Sequence, residues 1–129
     1  MSQNLHLPPI AIRASDAARL RLLADAAMDK FPATADFLAG ELERADIWPD
    51  GRPMTGIVAM GSSVTFRDDV TTQERTVTLV YPDQADISVN RISVLTPIGA
   101  ALIGLSPGQT IEFRAPGGKF RSLTVLAVA

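Results

Sequence analysis

The residues best suited by type to acid–base or metal chemistry are few and poorly spaced for it. The one histidine, His6, lies just before Pro8 and Pro9, so neither a Ser-His-Asp triad nor a histidine metal cluster is supported. No cysteine is present, which removes thiolate ligation and disulfides and permits a reducing compartment. Acidic pairs occur at Asp68-Asp69 and at Glu41 and Glu43, and Asp29 and Asp36 bracket a proline-containing break. Such groups can recruit magnesium or share a proton, but solvated surface carboxylates are the simpler reading of all of them. Gly118-Lys119 has the look of the end of a phosphate loop. The glycine required five residues earlier is Phe113, however, and Lys119 is followed by Phe120 instead of Ser or Thr. A turn between strands is what remains, and the chain is expected to be no enzyme and to carry no cofactor and no metal.

Charge and hydropathy narrow the class further. Twelve basic and fourteen acidic side chains in 129 residues leave a net charge of −2. Binding to nucleic-acid backbones needs clustered Lys and Arg, so no strong direct nucleic-acid binding is expected. The front is the acidic part: residues 1–50 carry five basic and eight acidic side chains, residues 51–129 seven and six. An apolar content of 47% suits one main core with a modest appendage. Met1 to Pro9 lacks the basic start and apolar run of a secretory signal. The longest nearly uncharged stretch, Ile92 to Leu105, falls short of the roughly 20 residues of a membrane-spanning helix and contains Pro97. A cytoplasmic protein without membrane contact is the expectation.

The elements that must position any functional group fall into two parts, residues 1–50 and 51–129. Pro8 and Pro9 favour an extended lead-in. Ser15 is a candidate N-cap, with Asp16 in the first turn, for a helix from Asp16 to about Lys30. Its stripe is Ala17, Leu20, Ala24 and Ala27, widened by Leu23 and Met28. Phe31-Pro32-Ala33-Thr34 breaks the pattern, and Thr34 can cap a second helix from Ala35 to about Ile47. Ala35, Leu38, Leu42 and Ala45 form its stripe, with Glu41, Glu43, Arg44 and Asp46 turned elsewhere. Two such helices joined by about four residues are expected as a short antiparallel hairpin, each arm about 20 Å long. Ile47 and Trp48, at its base, are the expected docking residues.

After the Pro- and Gly-rich stretch from Asp46 to Gly56 the periodicity becomes alternating. Val64 to Phe66, Thr76 to Tyr81, Ile111 to Arg114 and Leu123 to Val128 read as strands, with Ile57 to Met60 and Ile92 to Leu95 as shorter candidates. Asp68-Asp69 and Ala115-Pro116-Gly117-Gly118 supply reversals for a mainly antiparallel sheet. Thr96 as cap, Pro97 at the first position and Gly104 as stop predict one short helix from Pro97 to about Ile103, with Ile98, Leu102 and Leu105 in the core. The fold class is α+β.

The stretch Ile92-Ser93-Val94-Leu95-Thr96-Pro97-Ile98-Gly99-Ala100-Ala101-Leu102-Ile103-Gly104-Leu105, followed by Gly108 and Pro116-Gly117-Gly118, resembles the C-terminal domain signature of the Gre transcript-cleavage factors. Met60-Gly61-Ser62-Ser63-Val64, Phe66-Arg67-Asp68 and Leu79-Val80-Tyr81-Pro82 resemble strands of the same domain, with Tyr81-Pro82 closer to the branch of regulators of nucleoside diphosphate kinase (Rnk). The resemblance covers about residues 57–128. It implies a β domain like that of FK506-binding proteins and a partner, RNA polymerase, docked at its secondary channel. It maps the polymerase-binding loop onto Ser93, Leu95, Thr96 and Pro97; Gre-type factors can carry an acidic residue where Leu95 stands. Their long arms end in acidic residues that place magnesium and water at the polymerase active centre. The hairpin here is shorter, and its tip, with Asp29, Lys30, Phe31 and Asp36, lacks their closely spaced acidic pair. Competition with Gre-type factors without cleavage stimulation is therefore expected, and any effect on nucleoside diphosphate kinase is indirect. The alternatives are a prolyl isomerase like the FK506-binding proteins, which needs an aromatic cluster around the proline ring, and a dimeric interaction module paired through its alanine-rich hairpin.

Overall fold

The computed structural model describes residues 7–114 and 118–129. His6 and the Ala115-Pro116-Gly117 part of the expected reversal lie outside them. Pro8 and Pro9 hold the lead-in extended, and Ala11–Arg13 forms a short strand (β1) that passes directly into helix α1, Ala14–Ala27. After helix α2, Pro32–Arg44, the chain returns as β2, Asp46–Trp48, and pairs in parallel with β1, Ala11 opposite Asp46 and Arg13 opposite Trp48.

This pairing corrects the expected helix ends. Ser15 is not the cap of α1. The ladder keeps Arg13 extended, the helix starts at once behind it, and the Ser15 N–H donates instead to Asp50 Oδ1 at 2.9 Å. The helix ends at Ala27, three residues before Lys30. Thr34 does not cap α2, because Pro32 already stands at its first position, where the missing N–H costs nothing. At the far end Ala45 is extended, since residues 46–48 are drawn into β2, so α2 stops short of Ile47.

The apolar stripes behave as their spacing requires: Ala17, Leu20, Ala24 and Ala27 on α1 and Ala35, Leu38 and Leu42 on α2 are buried, and the helices pack on each other. Met28 is exposed. Glu41, expected to face outward, is 2% exposed. Arg44 grips its carboxylate twice, at 2.6 and 2.7 Å, and also donates to the Pro8 carbonyl. The lead-in, crossing near α2, supplies this third group. Ile47 and Trp48 are not the docking residues. Ile47 is exposed, and Trp48 is half-buried with the Arg52 guanidinium 3.4 Å from its ring centre. The lead-in does this work: Ile10 and Ile12 are buried, the Asp46 N–H donates to the Ile10 carbonyl, and the Ala11 N–H donates to the Gly104 carbonyl.

The second part is a five-stranded sheet in the order β5-β4-β3-β7-β6, built from β3 (Ser63–Asp68), β4 (Glu74–Val80), β5 (Arg91–Ser93), β6 (Thr110–Arg114) and β7 (Phe120–Val128). It is mixed rather than antiparallel throughout. β5 runs parallel to β4, Thr78 opposite Arg91 and Val80 opposite Ser93. A parallel neighbour needs a crossover. The overlap is only three residues, so residues 81–90, with 3-10 turns at Pro82–Gln84 and Ile87–Val89, suffice to make one. Ile57 to Met60 is no strand; Val58 exchanges backbone hydrogen bonds with Leu105 and Gly104 across a turn.

Helix α3 (Pro97–Leu102) packs on β6 and α2. Leu102 and Leu105 are fully buried and Ile98 half-buried. Gly104, at φ +82°, ends the turn, and an added Cβ there would lie 2.8 Å from the Ile10 Cβ. The close passage of the lead-in therefore requires glycine as much as the left-handed backbone does. One cluster of buried side chains runs from Ile10, Leu20 and Leu38 through Val58 and Phe66 to Leu102 and Val125.

Candidate functional site

The segment Ser93 to Pro97 joins β5 to α3, and its own side chains hold its shape. Thr96 Oγ1 donates to the Ser93 carbonyl at 2.7 Å and accepts from the Gly99 N–H at 3.0 Å. This is the expected cap, with Pro97 at the first helical position. Ser93 Oγ accepts from the Leu95 N–H at 3.0 Å. Gly99 lies so close beneath the loop that an added Cβ would fall 2.1 Å from the Ser93 carbonyl oxygen. Ser93, Leu95, Thr96 and Pro97 are each half-buried, so a fixed backbone presents part of every side chain to solvent.

Beside this loop opens a groove of about 440 Å³ on the sheet, lined mainly by apolar atoms. Strand alternation builds it. Phe113 stands opposite Arg121 and Leu123 opposite Asp68, so these four share one sheet face, and all four line the groove. Thr96, Pro97 and Ile98 contribute from the start of α3. Arg121 is paired with Asp68, whereas Arg75 and Arg91 also reach the groove and carry no ion pair among the described residues. Only the Thr96-Pro97 side was legible in the sequence. Its other walls come from β3, β4, residues 85–92, β6 and β7, and the one signal was the arginine on the apolar-face register of β7.

Asp68 and Asp69 lock the β3–β4 turn to β7 and gather no ligand set. Burial opposes ionisation of Asp69, but Ser122, Thr124 and Arg67 donate to it and together hold its carboxyl below the ordinary value. At Asp68 burial is likewise outweighed, by the Thr71 and Val70 amides and by Arg121. Among the described residues no group of three or more His, Cys, Asp or Glu side chains could hold a metal ion, and no helix is long and apolar enough to cross a membrane.

The other set of candidate residues, Asp29, Lys30, Phe31 and Asp36, lies where α1 gives way to α2. All four are exposed, and no ion pair among the described residues involves Asp29, Lys30 or Asp36. Among the described residues no hydrogen bond or ion pair joins this tip to the Ser93–Pro97 loop; the two are separate surfaces. The joint between the helices and the sheet was not anticipated. Tyr81, directly after β4, donates its hydroxyl to Asp16 Oδ1 at 3.1 Å, with the Arg19 guanidinium 3.7 Å from its ring centre. Burial, followed by the Asp16 charge and hydrogen bond, pushes the phenol up to about 12.

Residues 53–129 match the family model described as transcription elongation factor GreA/GreB, C-terminal. A solved structure described as a prokaryotic transcription elongation factor GreA/GreB from Nitrosomonas europaea superposes with a TM-score of 0.70 at 38% identity, covering 95% of this chain and 99% of that one. Sheet, short helix and helical pair thus define a protein of the GreA/GreB class. Residues 8–47 match the Rnk N-terminus model. The regulator of nucleoside diphosphate kinase of Escherichia coli (strain K12) is 37% identical over 119 residues, 92% of this chain and 88% of that protein. The transcription elongation factor GreA of Brucella canis is 41% identical over 71 residues, 55% of this chain and 45% of GreA. The chain belongs to the Rnk family, related to the Gre factors.

Proposed function

We propose that this chain is a transcription regulator that docks on RNA polymerase at the secondary channel and competes there with Gre-type factors without stimulating transcript cleavage. In this reading residues 51–129 are a docking domain of the FK506-binding-protein type, and residues 1–50 are an antiparallel helical hairpin with its lead-in. The observation that carries it is the Ser93–Pro97 loop. Its backbone is fixed by the Thr96 and Ser93 side chains while Leu95, Thr96 and Pro97 keep partly open faces beside an apolar groove. A preformed, half-open loop loses little conformational freedom on binding. The tip supports the second half of the proposal: its aspartates, Asp29 and Asp36, are seven positions apart in sequence with the exposed Phe31 between them, and no closely spaced acidic pair stands there.

The isomerase alternative needs an aromatic cage around a proline ring. Among the described residues the groove offers one aromatic side chain, Phe113. The test is a pull-down of core RNA polymerase with this protein, wild type and Thr96→Ala/Pro97→Ala, with and without a Gre factor. Binding that the loop variant weakens and the Gre factor displaces is the expected result. No binding at micromolar concentration refutes docking, and transcript cleavage stimulated in stalled complexes refutes the silent-competitor half.

A further inference from the structure

We propose that Tyr81 is a positioning residue: held by Asp16 and Arg19, it fixes the direction in which α1 and α2 project from the five-stranded sheet. The residue sits at a rigid place. Val80, before it, is in the ladder opposite Ser93, and Pro82, after it, opens a 3-10 turn in which the Gln84 N–H donates to the Tyr81 carbonyl. The side chain leaving this point reaches the first turn of α1, 65 residues away in sequence.

Hydroxyl and ring act together. The hydroxyl donates to Asp16 Oδ1, and Asp16 Oδ2 also lies 3.7 Å from Arg13, the residue that ends β1. The ring face takes the Arg19 guanidinium, one turn further along α1. Two contacts one helical turn apart define a direction along the helix, which a single contact does not. The lead-in ties the helices at a different place, through Arg44 and Asp46 at the end of α2. Helix α3, packed on α2, and the shared core hold the pair as well; a tie at the first turn of α1, on the other helix, adds a restraint at a separate place.

The lever is long. From Asp16 to Phe31 is about 20 Å at a rise of about 1.5 Å per residue, so a small rotation at the joint becomes a displacement of several ångströms at the tip residues Asp29 to Phe31. Under the docking reading, on which this consequence alone rests, Tyr81 sets where the tip stands when the Ser93–Pro97 loop is engaged.

The chain has no cysteine, so Ala33→Cys and Gln73→Cys, both at exposed positions, can carry a pair of spin labels on the intact protein. The parent should give one narrow distance distribution. Tyr81→Phe, which keeps the ring, and Asp16→Ala should each widen it at least twofold or add a second distance. Asp16→Asn, which keeps an acceptor oxygen, should leave it narrow, and the Tyr81→Phe/Asp16→Ala double variant should widen it no further than either change alone. A sheet variant away from the joint, Ile111→Val, should lower the Tm without widening the distribution. A distribution unchanged in Tyr81→Phe and Asp16→Ala, or widened equally in Ile111→Val, overturns the proposal. The measurement uses the protein alone, so its outcome is separable from the result of the polymerase pull-down.

Discussion

Alanine at two glycines should change stability in opposite directions, and the structure gives the reason. At Gly99, in the first turn of α3, a Cβ would lie 2.1 Å from the Ser93 carbonyl oxygen, 2.9 Å from its carbon and 2.9 Å from Thr96 Oγ1. Ordinary contact begins near 3.4 Å, so the helix start and the end of β5 must separate by about 1 Å. That movement overpacks the site, at about 1–3 kcal/mol. It also weakens the Thr96 hydroxyl and amide bonds to the Ser93 carbonyl, worth about 1 kcal/mol each. The expected loss is about 3 kcal/mol, a large share of the roughly 5–15 kcal/mol of a typical domain and equivalent to roughly 10 °C in Tm. At Gly40, inside α2, a Cβ would meet nothing within 4 Å. Gly40→Ala should raise stability by about 0.5–1 kcal/mol through the restricted unfolded chain. Urea denaturation followed by circular dichroism measures both. Equal and small effects of the two substitutions would refute the close-approach argument and, with it, the rigidity assigned to the loop.

Other expectations follow from particular contacts. Arg44→Met strands the buried Glu41 carboxylate and should cost about 3 kcal/mol, whereas Arg44→Met with Glu41→Leu should recover most of it; urea midpoints of the three proteins decide. Asp68 and Asp69 have carboxyls held below the ordinary 3.8. The stability they contribute is present above that unfolded value and lost as pH falls through their lower folded values. Denaturation midpoints should therefore decline below about pH 4, and less steeply in Asp69→Asn. The Tyr81 phenol, raised to about 12, should titrate at lower pH in Asp16→Ala while staying above 10, because burial remains; ultraviolet titration reads this directly. Thr96→Ala should cost about 1 kcal/mol, and Thr96→Ser, which keeps the cap oxygen, less than half of that.

Local chemistry made some elements legible. Thr96, Pro97 and Gly104 each act on their own backbone, so the short helix stands within one residue of where they predict it. The alanine-rich stripes of α1 and α2 are buried because period alone decides which face they share. Tertiary contacts set what was misplaced. Ser15 and Thr34 are good caps in isolation, but β1 and Pro32 fix the two helix starts first. Glu41 is buried because of Arg44 and the Pro8 carbonyl 33 residues before it, a coincidence no helical pattern encodes. The parallel β5 depends on a crossover of two 3-10 turns that has no strong sequence signature. Of the candidate site, the Thr96-Pro97 loop was readable, whereas the groove, made by β6 and β7 side chains meeting that loop, was not.

The lead-in has a consequence for synthesis. Pro9 receives a hydrogen bond from Gln109, and Ala11 gives one to Gly104, so during translation residues 9–11 must wait for partners about a hundred positions later. The α1–α2 pair and the β1–β2 ladder can form as soon as residues 8–48 emerge, Tyr81 can join α1 later, and the contacts to Gly104 and Gln109 come after both. Closure of such distant contacts is the slow kind of step in folding. The seating of Ile10 against Gly104 therefore has to follow the synthesis of residue 104, long after the adjoining β1 can pair with β2.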